Sequence, residues 1–87
     1  MEIVIVERVF DEPLSEEQAA AMLRGAAECY RLRRVTHLHT YLSKDGRRAI
    51  CTYEAPDAAT VREASDEQGT PYSRVWTASW IPGRTEE

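Results

Sequence analysis

The chain contains two histidines, and both fall in Thr36-His37-Leu38-His39-Thr40-Tyr41, a stretch rich in β-branched and aromatic residues. Such a stretch predicts a strand. Side chains i and i+2 of a strand stand on one face about 7 Å apart, so the spacing predicts two imidazoles pointing the same way. A second strand-like run, Ala49-Ile50-Cys51-Thr52-Tyr53-Glu54, follows the turn residues Lys44-Asp45-Gly46, and the two runs are expected to pair as a hairpin. Imidazole, carboxylate, thiol and phenol groups would then lie within reach of one another, a donor mixture that suits Ni, Cu or Zn rather than Mg or Ca. Glu7 interrupts an apolar strand run and is expected to face the same pocket. The candidate metal ligands are therefore His37, His39, Glu7 and Cys51.

Which groups meet depends on the turn. A two-residue turn at Asp45-Gly46 places His37 opposite Glu54 and His39 opposite Thr52, whereas a three-residue turn places His37 opposite Tyr53 and His39 opposite Cys51. A slip of one residue exchanges the two faces, so both registers stay open. An imidazole beside a carboxylate or phenol can also act as a general base, which makes His37, His39, Glu54 and Tyr53 the candidates if the ligand is an organic substrate. Each of these residues also has a plain structural role open to it. Two strand histidines can simply hydrogen-bond across an interface, a cysteine such as Cys51 can serve as a small buried hydrophobe, and Tyr41, Tyr53, Trp76 and Trp80 can pack. No nucleophile elbow, phosphate loop, dinucleotide fingerprint or HExxH helix is present, and no organic cofactor is expected.

The elements that must hold these residues are legible in order. Ile3 to Phe10 reads as a first strand, closed by Asp11-Glu12-Pro13. Ser15-Glu16-Glu17-Gln18 has the form of a capping box, and Ala19, Met22, Leu23, Ala26, Ala27 and Tyr30 recur behind it at helical spacing. Gly25 lies inside this helix, where glycine costs about 1 kcal/mol relative to alanine, and it is expected to permit close approach to the sheet. After the hairpin, Asp57 is placed to cap a second helix with Ala58, Val61, Ala64 and Ala59 inward, stopped by Gly69 and Pro71. Tyr72 to Ile81 reads as a fourth strand, with Trp76 and Trp80 on one face beside Arg74 and Ala78.

The resulting β-α-β-β-α-β order is that of a ferredoxin-like α+β fold, a four-stranded antiparallel sheet with two helices on one face. Two helices leave the other face uncovered, and that face carries many aromatic and β-branched residues. Face-to-face packing of two sheets, a dimeric α+β barrel, is the expected solution, so the partner is a second copy of the chain. At 87 residues the chain is one domain, expected over residues 1–82 with a polar tail at 83–87. A net charge of −4 with scattered acids lacks the footprint of a nucleic-acid binder. The basic group Arg31, Arg33 and Arg34 falls where the first helix should end and complements its dipole. No apolar run approaches the roughly 20 residues needed to span a bilayer, no secretory signal opens the chain, and Cys29 and Cys51 show no CxxC spacing. A cytoplasmic protein with reduced thiols, binding neither membrane nor nucleic acid, is expected.

Several short motifs carry a resemblance. Val6-Glu7-Arg8 with Phe10, His39-Thr40-Tyr41 with Leu42-Ser43, Cys51-Thr52-Tyr53-Glu54-Ala55-Pro56 and Gly69-Thr70-Pro71 occur in an order that resembles the small nickel-binding-protein-like family DUF4242. The resemblance implies a ferredoxin-like homodimer and, from its nickel-binding member, a nickel ion. The donor set read by itself suits nickel or another divalent transition metal, and the alternative is a small-molecule-binding protein or cofactor-free enzyme of isomerase, cyclase or oxygenase type that uses the inter-sheet pocket with histidine as general base. The family pattern often has Trp where this chain has His37.

Overall fold

The computed structural model describes residues 1–83, so most of the expected tail lies outside the described residues. The elements run β1 (Glu2–Val9), α1 (Glu16–Leu32), β2 (Thr36–Leu42), β3 (Arg48–Ala55), α2 (Ala58–Gln68) and β4 (Arg74–Ala78). The strands form one antiparallel sheet in the order β2-β3-β1-β4, the ferredoxin-like α+β arrangement that the order of elements predicts.

Local chemistry starts and stops each helix. At the head of α1 the Ser15 hydroxyl accepts from the Gln18 amide at 3.0 Å, while the Ser15 amide donates to the Gln18 side chain at 2.9 Å. This reciprocal capping satisfies two backbone donors that the helix itself cannot. Asp57 caps α2 by accepting from the Thr60 amide at 2.8 Å. Gly69 ends α2 in the left-handed region, φ 69°, which spares a Cβ clash.

The core lies between the sheet and the two helices. Val4 and Val6 of β1, Cys51, Tyr53 and Ala55 of β3, and Val75 of β4 pack against Ala26 and Tyr30 of α1 and Val61 and Ala64 of α2. Ala27 and Ala59, both expected to face inward, are exposed, and Ser65 is buried in their stead on α2. The fourth strand is also shorter than its sequence pattern predicts. Its ladder ends at Ala78, leaving Trp80 beyond the strand and exposed rather than on the face of Trp76.

Two glycines behave differently. A Cβ on Gly25 would meet nothing within 4 Å, so this position is an exposed site of low helix propensity and not a point of close approach. At Gly46 the backbone has φ +75°, and a Cβ would collide with the backbone of Leu14, whose amide donates to the Gly46 carbonyl at 2.8 Å. Gly46→Ala should therefore cost about 2–4 kcal/mol of unfolding free energy, from the left-handed backbone and the overlap together. Urea unfolding checks this, with Gly25→Ala as the control expected to leave stability unchanged or raise it by up to about 1 kcal/mol. Equal stability of the two variants would contradict the close approach at Leu14.

Candidate functional site

Strand alternation divides the sheet into two chemical surfaces. Val4, Val6 and Arg8 of β1 and Ala49, Cys51, Tyr53 and Ala55 of β3 point toward the helices and are buried. Ile3, Ile5 and Glu7, with Ile50, Thr52 and Glu54, point to the uncovered face. On β4, Trp76 pairs with Ile5 and joins that open face, 45% exposed.

The histidines do not share a face. His37 stands opposite Tyr53 and His39 opposite Thr52, so a β-bulge at Leu38 separates them. A bulge adds one residue to one strand and inverts the side-chain alternation beyond it. Each expected register is therefore right on one side of the bulge only: His39 to Leu42 follow the two-residue-turn pairing, while Thr36 and His37 follow the three-residue-turn pairing. The premise that i and i+2 spacing aligns the imidazoles fails because it assumes an unbroken ladder.

The consequence is that the expected ligands are divided. His39 and Glu7 lie on the open face, where the Trp76 indole N–H donates to one Glu7 carboxylate oxygen at 2.9 Å. His37 and Cys51 lie on the helix side. Among the described residues no three His, Cys, Asp or Glu side chains come together to hold a metal ion within one chain. The acid–base set is divided in the same way. His37 and Tyr53 meet, with ring centroids 5.2 Å apart, but Glu54 is on the other face and cannot assist them. His39 packs edge-on against Tyr41, centroids 5.2 Å apart.

Beneath the helices lies a polar centre that joins two of the candidates, Cys51 and Tyr53, to Arg8, Tyr30 and Ser65, which sequence reasoning did not single out. Arg8 is 1% exposed. Its guanidinium donates to the Tyr53 hydroxyl at 3.0 Å, the Tyr30 hydroxyl at 3.3 Å, the Cys51 sulfur at 3.3 Å and the Pro71 carbonyl at 2.9 Å. The Tyr30 hydroxyl also bonds Ser65 at 3.0 Å. No carboxylate among the described residues pairs with Arg8, so a full positive charge is solvated by neutral groups alone. Burial works against that charge, but the electron-rich neighbours, Tyr53 and Cys51 foremost, outweigh it and raise the Arg8 pKa. Burial pushes the Tyr53 phenol up despite the nearby guanidinium. Tyr30 goes the other way: hydrogen bonds from Ser65 and Thr70 and the Arg8 charge overcome its burial and hold it below the usual phenol range. The sequence signal for this centre is phase, since Arg8 follows Val4 and Val6 at intervals of two.

A cleft of about 350 Å³ opens beside this centre, between α1 and the β2 edge of the sheet. Ala20, Leu23 and Ala27 form the helix wall, and Val35, His37 and Tyr53 the opposite one. Burial first, with the positive charges of His39 and Arg8 adding to it, lowers the His37 pKa despite an opposing backbone hydrogen bond. The His37 Nε2 lies 2.7 Å from the Thr40 hydroxyl. Because its folded value sits below the unfolded one of about 6.5, this contribution to stability is present at neutral pH and is lost as the pH falls below that value.

No helix among the described residues is long and apolar enough to cross a membrane. No curated protein matches the chain. Among solved structures, the crystal structure of SCO4226 from Streptomyces coelicolor A3(2) superposes with a TM-score of 0.82 over 92% of this chain and 99% of that one, at 10% identity. At that identity the likeness speaks for the fold. The family model described as "Nickel responsive protein SCO4226-like" matches residues 5–77, and the chain belongs to that family.

Proposed function

We propose that the protein is a homodimer, formed by its open sheet face, that takes a divalent transition-metal ion of the nickel type through His39. The observation that carries this reading is the position of His39: the bulge turns it onto the uncovered face, where it is exposed beside a surface suited to a second copy. Imidazole and carboxylate donors suit Ni, Cu or Zn, and Glu7 on the same face retains a carboxylate oxygen that Trp76 does not hold. A single chain is short of ligands, as no three candidate donors meet among its described residues, so the donor set calls for groups from both subunits. Family membership in a nickel-responsive group supports the choice of metal. His37 and Cys51 face the helices and have no part in this site.

Calorimetric titration of untagged protein with Ni(II) tests the proposal. His39→Ala is expected to weaken binding at least about tenfold, while His37→Ala leaves it unchanged. Affinity should fall on acidification, because a ligating imidazole must be neutral. Equal affinity of wild type and His39→Ala would remove the site from the open face.

A further inference from the structure

We propose that the cleft between α1 and the β2 edge is a second binding site, built for a small organic anion with an apolar body. Its volume of about 350 Å³ falls in the usual range for small-molecule sites, roughly 300–1,000 Å³. The cleft exists because α1 carries alanines at 20 and 27, where larger side chains would have closed the gap over Val35 and Tyr53.

The charge pattern selects the ligand. None of the described residues lining the cleft is acidic. Arg24 stands at its mouth, exposed and in no ion pair with any described residue. Tyr30 and Tyr53 both line the cleft and both accept from the buried Arg8 guanidinium, so the phenols stand between the space and an uncompensated cation. In a poorly solvated interior that field acts over longer distances than at the surface. A cationic ligand would meet two positive charges there, and a neutral one would gain nothing from them. An aromatic or branched carboxylate can lay its body against Leu23, Ala27 and the tyrosine rings and keep its charge toward Arg24. This site lies on the helix side of the sheet and is independent of the metal proposal.

The probe is 1-naphthoate, titrated into the metal-free 87-residue chain and followed by amide chemical shifts. Shifts centred on Leu23, Ala27 and His37 are expected, with an affinity at least tenfold tighter than for uncharged 1-naphthamide and no measurable binding of 1-naphthylmethylammonium. Ala27→Trp, at an exposed position and so compatible with the fold, should abolish binding of naphthoate and leave the Ni(II) titration unchanged. Arg24→Gln should weaken naphthoate binding several-fold in a protein whose spectrum is otherwise native. Naphthamide binding as tightly as naphthoate would overturn the proposal, as would shifts confined to the open sheet face or undiminished binding by Ala27→Trp.

Discussion

Arg8→Ala is expected to lower the unfolding free energy by about 3–5 kcal/mol, a large part of the roughly 5–15 kcal/mol typical of a domain. Three effects set the size. The substitution leaves a cavity in the core, strips the Tyr53 hydroxyl and the Pro71 carbonyl of their guanidinium partner, and removes a donor to Cys51. One effect opposes them, since a buried charge that has no counter-ion has itself cost desolvation energy. Arg8→Met separates these contributions. It fills most of the volume and removes the charge but still orphans the polar groups, so its loss should be smaller, about 1–2 kcal/mol. Adding Tyr53→Phe to Arg8→Met should recover part of that loss by removing the stranded hydroxyl. Urea unfolding of the three variants measures all of this. An Arg8→Ala protein within about 1 kcal/mol of wild type would show that the guanidinium is not the organising group of the core.

The second large effect concerns association. Ile5 sits on a central strand of the open face, between Thr52 and Trp76, so a charge introduced there would fall in the middle of the proposed dimer contact. Ile5→Arg is expected to weaken dimerisation at least about 100-fold, the scale on which an unpaired charge disrupts the centre of an interface. The monomer should keep its fold, because this face is free of helices and the new side chain can reach water. Sedimentation velocity over a concentration series reads the result directly. Wild-type protein that stays monomeric at tens of micromolar would overturn the dimer, and with it the shared donor set for nickel.

The order of elements was legible because its signals are local. Ser15 and Gln18 cap each other, Asp57 caps Thr60, and Gly69 supplies the left-handed residue that ends α2, all within a few residues of chain. The pairing of the histidines was not legible, because a bulge is decided by how β2 lies on β3 and nothing in Thr36-His37-Leu38-His39 marks Leu38 as the extra residue. For Arg8 the signal is present in the chain: an arginine in step with Val4 and Val6 enters the core, while the carboxylate beside it, Glu7, is the group whose chemistry suggests a site. Glu7 does lie on the face that the helices leave uncovered, while the stronger structural constraint belongs to its neighbour. The cleft was beyond reach for a different reason. It is an absence of side-chain volume between α1 and β2, and empty space follows from packing rather than from any one residue.

The bulge at Leu38 also bears on how the sheet ends. A four-stranded open sheet exposes unpaired backbone donors and acceptors along both outer strands, and such rows can template the addition of further strands into aggregates. Here β2 is outermost on one side, and the inserted residue breaks the regular run of groups it would offer to an incoming strand. On the other side β4 is only five residues long. One border is interrupted and the other is brief, so growth by edge addition is disfavoured on both flanks. That leaves the open sheet face, with Ile3, Ile5, Ile50 and Trp76, as the contact of the proposed dimer, a geometry that would close on a pair instead of extending as an open-ended ribbon.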